Sequence, residues 1–331
     1  MEINLVIVWA LAIIFGLSMY VVSDGFDLGV GMLFLAVRNT QDRETMVRST
    51  SCVWDGSEAW LLLVAVCLVI AFPPTLSILI AAFSVPLIGV FCGLVVRGIA
   101  FKLRANNSRF WDVVICISSA LVAFLQGTIL GALVDGVSVQ GGQFTGGFWS
   151  WFTWFSILTG VTLMLTYALL GATWLLVTTK GALYSTMRRY AHHLLVWFGY
   201  AMTTLTLITP FLNEEQRERW LGLPNFFYMG FVPTLGIMAF VWVYFVIRFS
   251  EWQRWPFAIT LIMLGTAFFT YITSLWPTLV LPDVSIYEMA TGANLEHTLW
   301  MVLVLVIAIA SYSIWAFKTS LERAKSSTQL G

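Results

Sequence analysis

LVIVWALAIIFGLSMYVVSDGFDLGVGMLFLAV, residues 5–37, sets two carboxylates inside an almost unbroken apolar run, and its reading decides the fold. At about 1.5 Å of rise per helical residue the run exceeds a hydrocarbon core roughly 30 Å thick. A hydropathy window would stop it near Val22, ahead of Asp24 and Asp27. Gly25 to Val37 nevertheless belong to the same helix, because polar character becomes continuous only in Arg38 to Thr50. Other apolar runs, such as Leu61 to Ile70 and Met301 to Ala310, lack the apolar/polar alternation of a membrane β-barrel. The class expected is all-α and polytopic.

Composition agrees. Hydrophobic residues make up 59% of the chain and charged residues 10%, against about 45–50% and about 25% in soluble domains. So few charges cannot coat a water-facing surface. Net charge is zero, which argues against a nucleic-acid partner or a strongly acidic substrate. Cys52, Cys67, Cys92 and Cys116 lie in or beside apolar segments without CxxC spacing, and read as packing residues. The first segment has neither a basic leader nor a small-residue cleavage site, so it reads as a retained span.

Nine spans are expected, at approximately 5–37, 51–72, 75–101, 110–134, 149–178, 190–212, 224–248, 256–277 and 298–318. They are expected to form one membrane domain, residues 1–331, as two four-helix bundles plus a peripheral helix. Most tryptophans, among them Trp111, Trp149, Trp220 and Trp255, sit at span ends, as an interfacial aromatic belt requires. Prolines are expected at span ends as well. With the amino terminus outside and the carboxyl terminus in the cytoplasm, fourteen of the 17 basic residues fall on the inner side, Arg38, Arg43, Arg48, Lys102 and Arg104 among them. That is the asymmetry of the positive-inside rule, and it requires an odd number of spans.

Ionisable groups at membrane depth cost about 2.5–3.5 kcal/mol each on insertion scales, so each asks for a reason. The candidates are Asp24, Asp27, Asp55, Glu58 and Arg97. Asp24 and Asp27 share a helix face beside Gly25, Gly29 and Gly31, and Asp55 and Glu58 repeat the three-residue spacing. Two readings stay open: the four carboxylates form a proton or ion path, or they pair structurally with Arg97 and with caps. His192, His193 and His297 supply no axial pair for a haem. No nucleophile motif, phosphate loop or zinc spacing is present, so no catalytic or metal-binding residues are assigned.

SDGFDLGVGML at 23–33 and VWDGSEAWL at 53–61 together resemble the paired signatures of cytochrome bd oxidase subunit II. Further matches in family order are FPP at 72–74, RGIAFKLR at 97–104, LLGATWLLVTTKG at 169–181 and LWPTLVLPD at 275–283. The resemblance implies a haem-free second subunit of a bacterial respiratory quinol:oxygen oxidoreductase in the cytoplasmic membrane. Its partner would be a haem-bearing subunit I holding haems b and d, with quinol as substrate. Small single-helix accessory subunits, membrane lipid and a structural quinone are further expectations. Asp27 and Asp55, supported by Asp24 and Glu58, would form the proton route, Trp60 would border an oxygen path, and Arg97 would serve structural ion pairing. Departures from the family pattern are Ser57 where Asn is usual, Ala59 where Val is usual, and Val53 where some members carry His. The compact outer loops suggest the cyanide-insensitive branch. A proton-coupled secondary transporter, using the same carboxylates, is the competing function.

Overall fold

Hydrocarbon offers the backbone no hydrogen-bond partners, so each apolar run closes its own i to i−4 ladder and becomes a helix. The computed structural model describes residues 2–50, 54–104, 109–223, 225–249, 254–276, 278–280, 284–285 and 295–327. Its helices are α1 (Glu2–Met32), α2 (Thr40–Thr50), α3 (Trp54–Ala71), α4 (Pro73–Leu103), α5 (Arg109–Asp135) and α6 (Trp154–Thr178). They continue with α7 (Gly181–Ile208), α8 (Glu214–Leu221), α9 (Asn225–Phe249), α10 (Trp255–Leu275) and α11 (Leu295–Ser327). Among the described residues eight helices are long and apolar enough to cross a membrane, and α3 adds a shorter apolar helix.

Two rings of four helices form the body. In the first, α1 packs on α3, α3 on α4, α4 on α5 and α5 back on α1; in the second, α6, α7, α9 and α10 close in the same way. The rings join where α6 lies against α1 and α5, and α11 rests outside on α3 and α2. Burial ranks them accordingly: 72% of the most apolar window of α6 is buried, against 11% for α11.

Small residues set the crossings. A Cβ on Gly127 would lie 2.6 Å from Gly160 Cα, and one on Gly131 2.7 Å from Ser156 Cα, so α5 and α6 touch backbone to backbone. At the α1–α6 crossing a Cβ on Gly29 would overlap the Tyr167 carbonyl, and one on Gly171 would overlap Gly29 and Val30 backbone. An aromatic cluster of Phe26, Trp174, Phe257 and Phe317 then ties α1, α6, α10 and α11 together.

Local signals place the ends. Thr153 and Ser156 form a reciprocal capping box that opens α6. Gly181, at φ 67°, turns the chain between α6 and α7 in a conformation that costs other residues more. β1 (Val139–Gln140) and β2 (Gln143–Phe144) make a small hairpin between α5 and α6, and β3 (Thr278–Val280) pairs with β4 (Val284–Ser285) beyond α10.

Several expectations need correction. Pro86 and Pro233 lie inside α4 and α9, not at span ends. Pro86 removes a ladder donor and crowds the preceding turn, and α4 answers with a non-helical Phe83 (φ −115°, ψ 20°). α7 starts at Gly181, nine positions ahead of the expected 190, because its first turns carry charge while already helical. The loops expected at 38–50 and 213–223 contain α2 and α8. Trp9, Trp60 and Trp174 are not among the tryptophans expected at span ends, and they are fully buried.

α8 is a clamp. Asn213 caps its first turn through Gln216 N (2.8 Å), and Arg219 Nη1 then donates to the last carbonyls of α10, Leu275 (2.8 Å) and Trp276 (2.9 Å). Trp220 and Gln216 hold Ser274 from the same side. Arg219→Ala orphans those carbonyls and is expected to destabilise the chain by about 1.5–3 kcal/mol. The check is a thermal melt of the detergent-solubilised protein, with Arg219→Lys falling between wild type and Ala; equal melts for all three would contradict the clamp.

Candidate functional site

The first ring is polar along its axis. α1 turns Tyr20, Asp24 and Asp27 to one face, since residues three and four apart stack on a helix, and all three are buried. Arg97 of α4, without solvent exposure, meets Asp27: Nη2 donates to Oδ2 at 2.7 Å and to the Asp27 carbonyl at 3.2 Å. Its Nε donates to Ser119 Oγ of α5 at 3.0 Å, and its guanidinium lies over Phe101, 5.1 Å from the ring centre. Three helices thus hold one cation. Its Nη1 has no partner among the described residues.

Asp24 sits one turn deeper. Ser57 Oγ of α3 donates to its Oδ1 at 3.4 Å, while Oδ2 has no partner among the described residues. Tyr20 lies one turn before Asp24 on the same face of α1. Tyr20 in turn accepts from Gln126 Nε2 at 2.6 Å, and Gln126 Oε1 accepts from Tyr167 at 3.1 Å. A hydrogen-bonded string therefore runs from Tyr20 through Gln126 to Tyr167, one turn from Asp24, and crosses from α1 to α5 and α6.

A second cluster lies at the end of the ring that carries the arginine-rich loops. Asp112, in the first turn of α5, receives Arg43 Nη1 of α2 at 2.5 Å and Arg104 Nε at 2.6 Å. Arg104 Nη1 also donates to Glu44 Oε1 at 2.8 Å. Burial alone would lower the Arg104 guanidinium, but the hydrogen bonds and charges of Asp112 and Glu44 outweigh it and raise it, so the group stays charged. Arg104 and Arg97 are two turns apart on α4, and the rings of Phe34 and Phe101, edge to face at 6.1 Å, lie between them.

Of the residues singled out in the sequence, Asp24, Asp27 and Arg97 converge at this site. Glu58 does not: it is exposed on the outer surface of α3, pointing away from the ring. The Asp55 side chain lies outside the described residues. Trp60 is fully buried between α1 and α11, its Nε1 donating to Ser313 Oγ at 3.0 Å and its ring edge-on to Phe15. Tyr20, Gln126 and Tyr167 escaped the sequence reading because uncharged polar groups in apolar helices give little hydropathy signal. Glu44 and Arg43 escaped it because they read as loop charges, and Asp112 because it falls in the first turn of the expected span 110–134, where a charge reads as a span end; the seven-residue spacing of Arg97 and Arg104 was the available clue. His192 rests on the Tyr244 ring at 5.3 Å, and His193 is exposed. The His297 side chain lies outside the described residues.

Comparison with known proteins places this geometry. Residues 5–320 match the family model described as cytochrome bd terminal oxidase subunit II. The chain is 26% identical to cytochrome bd-I ubiquinol oxidase subunit 2 of Escherichia coli K12, over 94% of this chain and 92% of that one. It is 23% identical to cytochrome bd ubiquinol oxidase subunit 2 of Bacillus subtilis, over 89% of each. Its fold is similar to a chain of the bd oxidase structure from Geobacillus thermodenitrificans, with a TM-score of 0.78, 16% identity and 96% of each chain covered.

Proposed function

Because the chain belongs to the cytochrome bd terminal oxidase subunit II family, we propose that it is the haem-free second subunit of a bacterial respiratory quinol oxidase that reduces dioxygen to water. Its partner is subunit I, which holds haems b and d and oxidises the quinol. The N-terminus lies outside and the arginine-rich loops lie in the cytoplasm, as the distribution of basic residues favours. Accessory single-helix subunits and a structural quinone belong to the same reading. The family gives the transporter alternative no support.

This subunit's task is proton supply. Reduction of dioxygen consumes one proton per electron, and protons cross low-dielectric protein only along groups that can bind and release them. The observation carrying this reading is Asp24, buried at membrane depth with Oδ2 unpartnered, between the Arg97–Asp27 pair and the Tyr20–Gln126–Tyr167 string. In this scheme Arg97 and Asp27 fix the local field, Asp24 takes and passes the proton, and Asp55 extends the route. Trp60 walls an apolar passage for oxygen, which needs no polar partner in low-dielectric protein.

Asp24→Asn in the co-expressed complex is expected to lower quinol-driven oxygen consumption about tenfold or more, with haem content and melting temperature unchanged. Wild-type turnover in that variant would defeat the proton role. Failure of any haem protein to co-purify with the chain would defeat the subunit assignment itself.

A further inference from the structure

Gln126 holds two buried phenols at once, and its chemistry fixes which way each bond runs. The amide nitrogen only donates and the amide oxygen only accepts, so Tyr20 accepts from Nε2 at 2.6 Å and Tyr167 donates to Oε1 at 3.1 Å. The hydroxyl proton of Tyr167 is thereby committed. The Tyr20 oxygen takes the amide hydrogen, and its own proton remains to be given elsewhere. Reversing the amide would turn the Tyr20 lone pairs, rather than its proton, towards the acid one turn on, so the neighbouring carboxylate favours this orientation.

The two residues that hold Tyr20 start from close-packed backbone. A Cβ on Gly25, the residue after Asp24, would lie 2.9 Å from the Tyr167 ring, and one on Gly29 would overlap the Tyr167 carbonyl, so Tyr167 meets bare α1 backbone twice. Gln126 precedes Gly127, where α5 and α6 touch backbone to backbone. Both side chains therefore spring from crossings that cannot shift, and the Tyr20 oxygen is pinned from outside its own helix.

A mutually satisfied trio is by itself only a way of burying polar groups, each of which needs a partner in an apolar span. Asp24 gives the trio a further meaning. It lies four residues from Tyr20 on one face of α1, its Oδ1 accepts from Ser57 of α3 at 3.4 Å, and its Oδ2 has no partner among the described residues. A phenol proton still to be placed and an open carboxylate oxygen thus stand one helical turn apart.

We infer that Tyr20, Gln126 and Tyr167 are positioning residues for the proton-carrying acid: the brace aims the Tyr20 hydroxyl at Asp24 Oδ2, and Gln126 and Tyr167 act only through Tyr20. The inference rests on the proton role proposed above for Asp24. Hydrogen bonds to a charged acceptor are the stronger ones. A donor held at that oxygen steadies the charge left behind each time the proton moves on, and a hydroxyl free to rotate does so only part of the time.

The test uses the co-expressed complex. Reduced-minus-oxidised infrared difference spectra of the wild type are expected to contain a carboxyl C=O band that Asp24→Asn removes. In Tyr20→Phe, which keeps the ring and deletes the hydroxyl, that band should move to higher wavenumber, as a carbonyl does on losing a hydrogen bond. Gln126→Leu should move it the same way by less, and so should Tyr167→Phe, the milder variant should Gln126→Leu fail to assemble. Oxygen consumption per haem should fall about fivefold in Tyr20→Phe, the factor carried by one hydrogen bond. The Tyr20→Phe/Gln126→Leu double variant should fall no further. A band that stays in place in Tyr20→Phe, or losses that multiply to about 25-fold in the double variant, would overturn the brace while leaving Asp24 as proton carrier. Absence of any Asp24-dependent band, with wild-type turnover in Asp24→Asn, would instead bring down the proton role on which the inference rests.

Discussion

Gly171→Leu is expected to leave no folded chain in the membrane. A Cβ at this position meets the backbone of Gly29 and Val30, and the reciprocal Cβ on Gly29 meets the backbone of Tyr167 and Gly171. Backbone cannot swing aside as a flexible side chain does, so relief requires α1 and α6 to separate. α6 is the most buried span and the joint between the two rings, and separating it from α1 would pull Tyr167 from Gln126 and Phe26 from Trp174. Overpacking in a core typically costs 1–3 kcal/mol; with unyielding atoms on both sides the effect should exceed about 3 kcal/mol. The measurement is the monodisperse peak of a fluorescent fusion in size-exclusion chromatography, which should vanish. Gly265→Leu is the comparison, since a Cβ there meets nothing within 4 Å, and its peak should persist. A wild-type peak and melt for Gly171→Leu would show that the helices do not cross at this point.

The second large effect concerns Arg97. Removing one member of a buried ion pair leaves the other uncompensated, typically at 3–5 kcal/mol, and both Arg97 and Asp27 are almost wholly inaccessible. Arg97→Ala should therefore collapse the yield of complex, and Asp27→Asn, which strands a guanidinium among Ser119 and Phe101, should do nearly as much. The double variant Asp27→Asn/Arg97→Gln removes both charges and is expected to regain most of the lost stability, an interaction that a double-mutant cycle measures directly. Activity then separates the two meanings of the pair. If oxygen consumption per haem in the stable double variant falls, the pair shapes the field in which Asp24 exchanges its proton. If turnover equals wild type, the pair is scaffold only.

The two signatures were legible as chemistry because a charge in an apolar run stands out whatever surrounds it. Asp24, Asp27 and Arg97 were visible on those grounds, and Gly25 and Gly29 marked α1 as a close-packing helix. The matching small residues of its neighbours, Gly171 on α6 and the Gly127, Gly131, Ser156 and Gly160 set between α5 and α6, were not, since a glycine in a membrane helix says nothing about which helix it will face. Glu58 shows the limit from the other direction. By spacing it belongs with Asp55; by position on α3 it points out of the ring.

The amino-acid sequence by itself determined the class and the family, because transfer of apolar residues out of water is local and additive along the chain. Charge asymmetry added a preferred orientation by the same local logic. Only the tertiary structure decided that Arg97 pairs with Asp27 rather than Asp24, that Gln126 bridges two tyrosines, and that Asp112 gathers two arginines. Those choices depend on helix rotation and crossing depth, set by side chains and bare glycine backbone meeting across tens to more than a hundred residues of chain, which no one-dimensional pattern encodes.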